Sequence, residues 1–371
     1  MQNFQYPRCL KTFERLSLTR AVIDGREVTL FCSNDYLGLA MHPAVISAAK
    51  DASENGFGAG SAPLISGHSR YHESLRKDIA DFKSTPSSLL FGSGYVANTG
   101  IIPALAKKGD IIFSDRLNHA SIVDGCRLSG AEVSIYEHND HAGLRELLAE
   151  KAGYKKRLIV TESVFSMDGD IAPLPEIVRL AEEYKALLMV DEAHSTGVLG
   201  STGRGIFEHF KLPAGADVIQ MGTFGKALGS YGAFAAGNAE IIDLLINSAR
   251  SFIFSTALPS PACATTSAAL RVLQNEPERL ARLHDNASML REGLKKSGFK
   301  VTGGGTPIIP VIVGGADEAV KLSGALLDAG FYAPAIRPPT VPERECRIRF
   351  TVSSAHEPSE ILALLGAVER L

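Results

Sequence analysis

The chain has 371 residues, of which 38 are basic and 41 acidic, for a net charge of −3, and 45% are hydrophobic. That length suits a large domain with a smaller companion, and the near-neutral charge gives no global field that would draw nucleic acid or an anionic membrane. Five cysteines (Cys9, Cys32, Cys126, Cys263, Cys346) are scattered without a CxxC pair, so neither a disulfide framework nor a zinc site is expected and a reducing cytoplasm fits.

The opening residues, MQNFQYPRCLKTFERL, hold no apolar leader core, and no apolar run approaches the roughly 20 residues of a membrane span. Residues 1–42 read as an N-terminal arm of helix and short strand. From about residue 86, short apolar runs (SSLLFG, IIFSD, EVSIYEH, RLIVTES, ALLMVDE, ADVIQMG) alternate with amphipathic stretches such as HAGLRELLAEKA and PLPEIVRLAEEYK. This alternation predicts βαβ units. Strands apolar on both faces predict an α/β fold with a mostly parallel central sheet, covered by helices on each side. Residues 43–260 are assigned to this large domain. Beyond it, AEIIDLLINSARSF and the run from SPACATT to LKKSG read as long helices. TPIIPVIVGG, a helix from about Asp317, CRIRFTVSSAH and a closing helix follow. Residues 261–371 are assigned to a smaller α+β C-terminal domain.

Ligands collect at the carboxyl ends of strands in such sheets. The run LLFGSGYVANTG ends a strand with Gly92-Ser93-Gly94 and opens a helix, where free backbone N–H groups suit a phosphate, with the ring of Tyr95 next in line; a plain tight turn is the alternative. DRLNHASIVDG presents His119, and TESVFSMDGD presents Glu162 and Ser163. A lone histidine after a strand more often caps or packs, but here several strand ends bring polar residues to one rim. ALLMVDEAHSTGVLG ends a strand with Asp191, costly to bury unless paired with a cation, and His194 follows. Its DEAH also matches a helicase box. Such an ATPase needs GxxxxGK[ST], and the one GK, Gly225-Lys226, is followed by Ala227 and preceded by Gln220 where the first glycine belongs. His138 and His141 have metal-like spacing, but Asp140 between them is placed to cap the next helix, so no metal is expected. GTFGKALGSYGA carries Lys226 with no acidic residue near it in sequence.

A phosphate cradle, a flat ring, an aspartate that needs a cation and an unpaired lysine together fit pyridoxal 5′-phosphate (PLP). Its phosphate, ring nitrogen and lysine-reactive aldehyde use all of them. On SNDYLGL (33–39), DRLNHASIVDG, TESVFSMDGD, DEAHSTGVLG, GTFGKALGSYGA and IRPPTVP (336–342), in order over nearly the whole chain, the sequence resembles the α-oxoamine synthases. These are fold-type I PLP-dependent transferases of the aspartate aminotransferase-like fold.

The resemblance implies that Lys226 carries the cofactor and moves the Cα proton, that Asp191 pairs with the pyridine nitrogen, that His194 bonds the ring's phenolic oxygen and that His119 stacks on the ring. It places Ser163 beside the cofactor. Gly94, Tyr95 and Thr223 hold the phosphate, and Asn34 and Arg337 bind the amino-acid carboxylate. Ser255 and Thr256 reach the phosphate of the other subunit in a homodimer with shared active sites. It further implies condensation of L-alanine with a pimeloyl thioester, on coenzyme A or acyl carrier protein; a glycine- or serine-using member and a non-catalytic binding protein of the same fold are the alternatives. The chain departs from the family where a serine-arginine pair is usual: here Ala62-Pro63 follows Ser61.

Overall fold

The computed structural model describes residues 10–213 and 215–371. Cys9 and the first part of the stretch read for a leader lie outside them. The strands are β1 (Phe13–Arg15), β2 (Arg20–Ile23), β3 (Arg26–Leu30), β4 (Ser87–Phe91), β5 (Ile111–Asp115), β6 (Glu132–Tyr136), β7 (Arg157–Glu162), β8 (Leu187–Asp191), β9 (Val218–Thr223), β10 (Ala233–Gly237), β11 (Ile308–Gly314), β12 (Phe331–Tyr332), β13 (Ala335–Ile336) and β14 (Cys346–Thr351).

Seven of them form the central sheet in the order β4-β10-β9-β8-β7-β5-β6. The pairs β9–β8, β8–β7, β7–β5 and β5–β6 are parallel; β10 runs antiparallel to both neighbours, so β4 points the same way as β9. The two-residue period of a strand divides its side chains between two cores. Ile159 of β7 joins one cluster, while Leu158 and Val160 join the other; Leu188 and Val190 of β8 are parted from Met189 in the same way. The sheet is thus of the expected class, and five of its strands, with β4, deliver their carboxyl ends to one rim.

The N-terminal arm differs from expectation. Its described part, from residue 10, contains β1–β3 and no helix before Pro43. Ile23 pairs with Arg26 across Asp24-Gly25, both at positive φ (52° and 78°), a two-residue hairpin turn of the primed kind that Asp-Gly favours. β3 then pairs in parallel with β12, so the arm shares a sheet with the C-terminal part, order β1-β2-β3-β12. β11, β14 and β13 make a third sheet.

The long helices are broken where the sequence breaks them. AEIIDLLINSARSF forms helices Ala239–Ser248 and Arg250–Ile253, parted at Ala249, and the next run forms Ser260–Asn275 and Glu278–Lys296, parted before Pro277, which disfavours helix at the residue ahead of it. Helix Ser260–Asn275 packs on helices Pro43–Ser53 and Arg70–Lys83, whereas Glu278–Lys296 packs on Pro358–Val368. Packing across the expected boundary at 260/261 therefore continues for one more helix.

Candidate active site

The rim gathers residues from five strand ends into a cavity of about 220 Å³, with Gly94, His119, Glu162, Asp191, Thr223 and Lys226 in its wall. It adjoins a wider opening of about 760 Å³ that shares His119, His194 and Lys226 and adds Asn34, Met167 and Arg349.

Each group is held by local structure. Ser93 caps helix Gly94–Leu105, its hydroxyl accepting from Val96 N at 3.3 Å, which leaves the first amides of the helix facing the cavity. Gly94 allows a close approach: a Cβ there would come 2.6 Å from Thr223 Cγ2. His119 caps helix Ala120–Ser129, with Nδ1 3.2 Å from Ser121 N and 2.7 Å from Ser121 Oγ, and its amide donates to Glu162 Oε1 at 2.6 Å. Asp191 Oδ1 accepts from Ala193 N and Oδ2 from Asn98 Nδ2, both at 2.9 Å. Lys226 Nζ lies 2.8 Å from His194 Nε2, and His194 Nδ1 lies 2.8 Å from Tyr36 Oη. With the lysine as donor, the Nδ1 proton goes to Tyr36 Oη, whose own proton goes to Asn34 Oδ1 at 3.1 Å.

The electrostatics follow from burial. Desolvation pulls Lys226 from its ordinary 10.5 down to about 8, against the opposing pull of Asp191 and Glu162. His194 is held well below the usual histidine value, chiefly by burial and then by the Lys226 charge, so it is a neutral imidazole. Burial lowers His119 as well. Glu162 is driven well above the carboxylate range by burial, with the Asp191 charge adding to it.

The expected residues do not all meet here. Ser163 is fully buried behind the wall, its Oγ 2.9 Å from the Asp191 carbonyl and 2.8 Å from Ser195 Oγ. Tyr95 turns its ring outward, 47% exposed, with its hydroxyl bonded to Asp124; its backbone stays at the helix start. The guanidinium that meets Asn34 Oδ1 is that of Arg349, whose Nη atoms are both 3.4 Å away, while Arg337 is half-buried just past β13. Ser255 and the exposed Thr256 sit away from this cavity, beside the Ser61–Pro63 segment, where Ala257 N donates to Ser61 O at 3.0 Å. Ala62-Pro63 opens a π-helical turn, Pro63–Gly67. Asp140 caps helix His141–Glu150 through Gly143 N at 3.0 Å, while His138 bridges Asp115 (3.0 Å) and Asp170 (2.7 Å). Sequence reasoning missed Arg349, Asn98 and Tyr36; the alternation of Arg347 and Arg349 within CRIRFTV was the one available signal.

The chemistry of this donor set fits PLP. An amine of lowered basicity faces a carboxylate and two neutral imidazoles across a space closed at one end by a helix start. Thr223 Oγ1 and Asn98 Oδ1 are buried there without a partner.

Residues 26–368 match the aminotransferase class I and II family, and the chain belongs to that family and to its α-oxoamine synthase branch. It is 50% identical to 8-amino-7-oxononanoate synthase of Geobacter sulfurreducens over 368 residues, which is 98% of this chain and 94% of that one. Among solved structures it is similar to serine palmitoyltransferase from S. paucimobilis with PLP and myriocin bound (TM-score 0.93, 34% identity, 96% of this chain and 90% of that one). It is also similar to 8-amino-7-oxononanoate synthase from Francisella tularensis (TM-score 0.80, 29% identity, 92% and 97%). The cofactor is PLP.

Proposed function

We propose that the chain condenses L-alanine with a pimeloyl thioester to give 8-amino-7-oxononanoate, CO₂ and the free thiol, a step of biotin biosynthesis. The observation that carries the reaction class is the Lys226–His194 contact of 2.8 Å in a cavity that also holds Asp191 and opens toward Arg349 and Asn34. Near-full-length identity of about half to 8-amino-7-oxononanoate synthases supports the substrates.

PLP supplies the electron sink that makes the Cα proton of the amino acid removable. Lys226 would hold it, Asp191 would keep its ring nitrogen protonated, and the amides at Gly94 and Tyr95 with the unpartnered Thr223 hydroxyl would hold its phosphate. His119 would lie against its ring, and His194 would hydrogen-bond its phenolic oxygen through Nε2, its one proton then moving to Nε2 and Tyr36 Oη donating to Nδ1. Arg349 with Asn34 would grip the alanine carboxylate, with a lesser contribution from Arg337. Lys226, at about 8, has a neutral fraction near physiological pH and is the base for the Cα proton. The alanine Cα then attacks the thioester carbonyl and the thiol leaves. The β-keto acid so formed loses CO₂, and Lys226 returns a proton to Cα.

The protein works as a homodimer in the cytoplasm. Ile65 (80% exposed) and Phe254 (70%) are exposed apolar side chains on the two segments that the Ser61–Ala257 hydrogen bond joins, and Ser255 and Thr256 reach from there to the other subunit's phosphate. Among the described residues no helix is long and apolar enough to cross a membrane. Coenzyme A and acyl carrier protein are both chemically suitable thioester carriers. Product identification by mass spectrometry, with alanine, glycine and serine each offered pimeloyl and acetyl thioesters, tests the reading. Turnover confined to glycine or serine would replace it.

A further inference from the structure

Behind the cavity wall lies a buried ionic cluster with no part in the reaction described above. Lys83 ends helix Arg70–Lys83, and Glu192 follows Asp191; both side chains are completely buried, and Lys83 Nζ lies 3.0 Å from Glu192 Oε1. Lys83 Nζ also donates to the Arg204 carbonyl. Glu192 Oε2 accepts from Ser195 Oγ at 2.8 Å and from Ile206 N at 3.0 Å, and Glu192 N donates to the Met221 carbonyl at 2.6 Å. Gly205, at φ 111°, lies against the pair: a Cβ there would run into the Glu192 carboxylate and come within 2.8 Å of Lys83 Nζ.

Two charges removed from water are stable only when their geometry is nearly ideal, and an apolar pair would often serve stability as well or better. What the pair supplies is a fixed position for Glu192. That position matters because the amide orienting Asp191 Oδ1 is that of Ala193, the next residue, and His194 follows it. Ser195 carries the same constraint to Ser163, which sits against the Asp191 carbonyl.

We propose that Lys83 is a positioning residue of the site: through Glu192 it fixes the Asp191–His194 turn, and so the carboxylate and imidazole that face the cofactor. The proposal rests on the reading of Asp191 and His194 as cofactor-facing groups. Lys83→Met alone leaves a buried carboxylate unpaired, so the test uses Lys83→Met/Glu192→Gln, which removes both charges and keeps their volume, and Gly205→Ala, which disturbs the pair without removing it. For each, apo thermal melting, PLP dissociation constant, pH titration of the bound cofactor's visible absorbance, and kcat and KM for alanine are measured. The expected signature is melting close to wild type for the double variant and lower melting for Gly205→Ala, which is strained at φ 111°; both show a displaced absorbance titration, PLP affinity and kcat each down about tenfold, and KM within about twofold, since the carboxylate grip lies elsewhere. Folded variants with wild-type absorbance titration and PLP affinity would overturn the role, as would a rise in KM that matches the fall in kcat. Asp191→Asn, run in parallel, isolates the underlying reading: if it too leaves titration and turnover unchanged, the assignment of Asp191 fails rather than that of Lys83.

Discussion

Asp191 and Lys226 carry the sharpest residue-level expectations. A neutral amide cannot hold a proton on the ring nitrogen, so Asp191→Asn should lower kcat at least a hundredfold, about 2.7 kcal/mol of barrier, and change KM for alanine far less. Steady-state kinetics on the reconstituted variant check this. For Lys226 the lowered basicity is itself a stability statement. In the apo protein the folded lysine gives up its proton near pH 8, whereas the unfolded one keeps it to about 10.5. Between those values the unfolded state binds more protons, so stability rises with pH. Apo Lys226→Met should therefore exceed apo wild type by roughly 1–3 kcal/mol at pH 7, and the gap should close by about pH 10.5. Urea denaturation of both across that range gives the comparison.

The elements show which parts of the site sequence could reveal. Lys226, Asp191, His119 and His194 were legible because each sits just past a run of apolar strand residues, and the end of a parallel strand is where polar groups point at a ligand. Gly94 was legible from the strand–glycine–helix order. Its substitution by alanine should weaken PLP binding at least tenfold, about 1.4 kcal/mol, with far-UV circular dichroism unchanged, because the added methyl meets Thr223 at the helix start proposed to hold the phosphate. Arg349 was not legible. It sits in β14, nearly 160 residues beyond the DEAH motif, and CRIRFTV reads as an ordinary strand with one polar face. Only the fold shows that Arg347 and Arg349 both reach the loop after β7, at Asp168 (2.5 Å) and the Ser166 carbonyl (2.5 Å), and that Arg349 continues to Asn34. A charge-assisted grip is worth about 1.5–3 kcal/mol, so Arg349→Ala should raise KM for alanine roughly tenfold or more. Arg337→Ala in the same assay should raise it less. Equal effects would put both guanidinia on the carboxylate. The three strands in the arm's described residues went unread for a different reason: strands of three to five residues are too short for a two-residue period to stand out, and the Asp24-Gly25 turn was the usable cue.

At the scale of the whole molecule, the proposed homodimer would complete each site with the hydroxyls of Ser255 and Thr256 from a second copy. A shared site can be complemented. Lys226→Ala should abolish turnover, and Ser255→Ala/Thr256→Ala should weaken PLP binding. A mixed dimer would contain one site with Lys226 from one chain and both hydroxyls from the other. Activity of the isolated mixed dimer at limiting PLP should return toward half of wild type. Mixed dimers, verified by differential tagging, that show no recovery would place lysine and hydroxyls within a single chain's site.

The parallel pairing of β3 with β12 also orders events during synthesis. Thr29 N bonds the Gly330 carbonyl and Phe31 N the Tyr332 carbonyl, both at 2.9 Å, and Arg26 meets Asp328. One edge of β3 therefore has no native partner until residue 332 has left the ribosome. At about 5–20 residues per second, that is a wait of roughly 15–60 s. All seven strands of the central sheet are available long before it ends, the last of them at Gly237. The nascent protein thus passes through a stage in which its ligand-binding sheet can form while its first hairpin still presents an open edge, the kind of surface that pairs with other chains. The order of the chain separates that edge from its cover by about 300 residues.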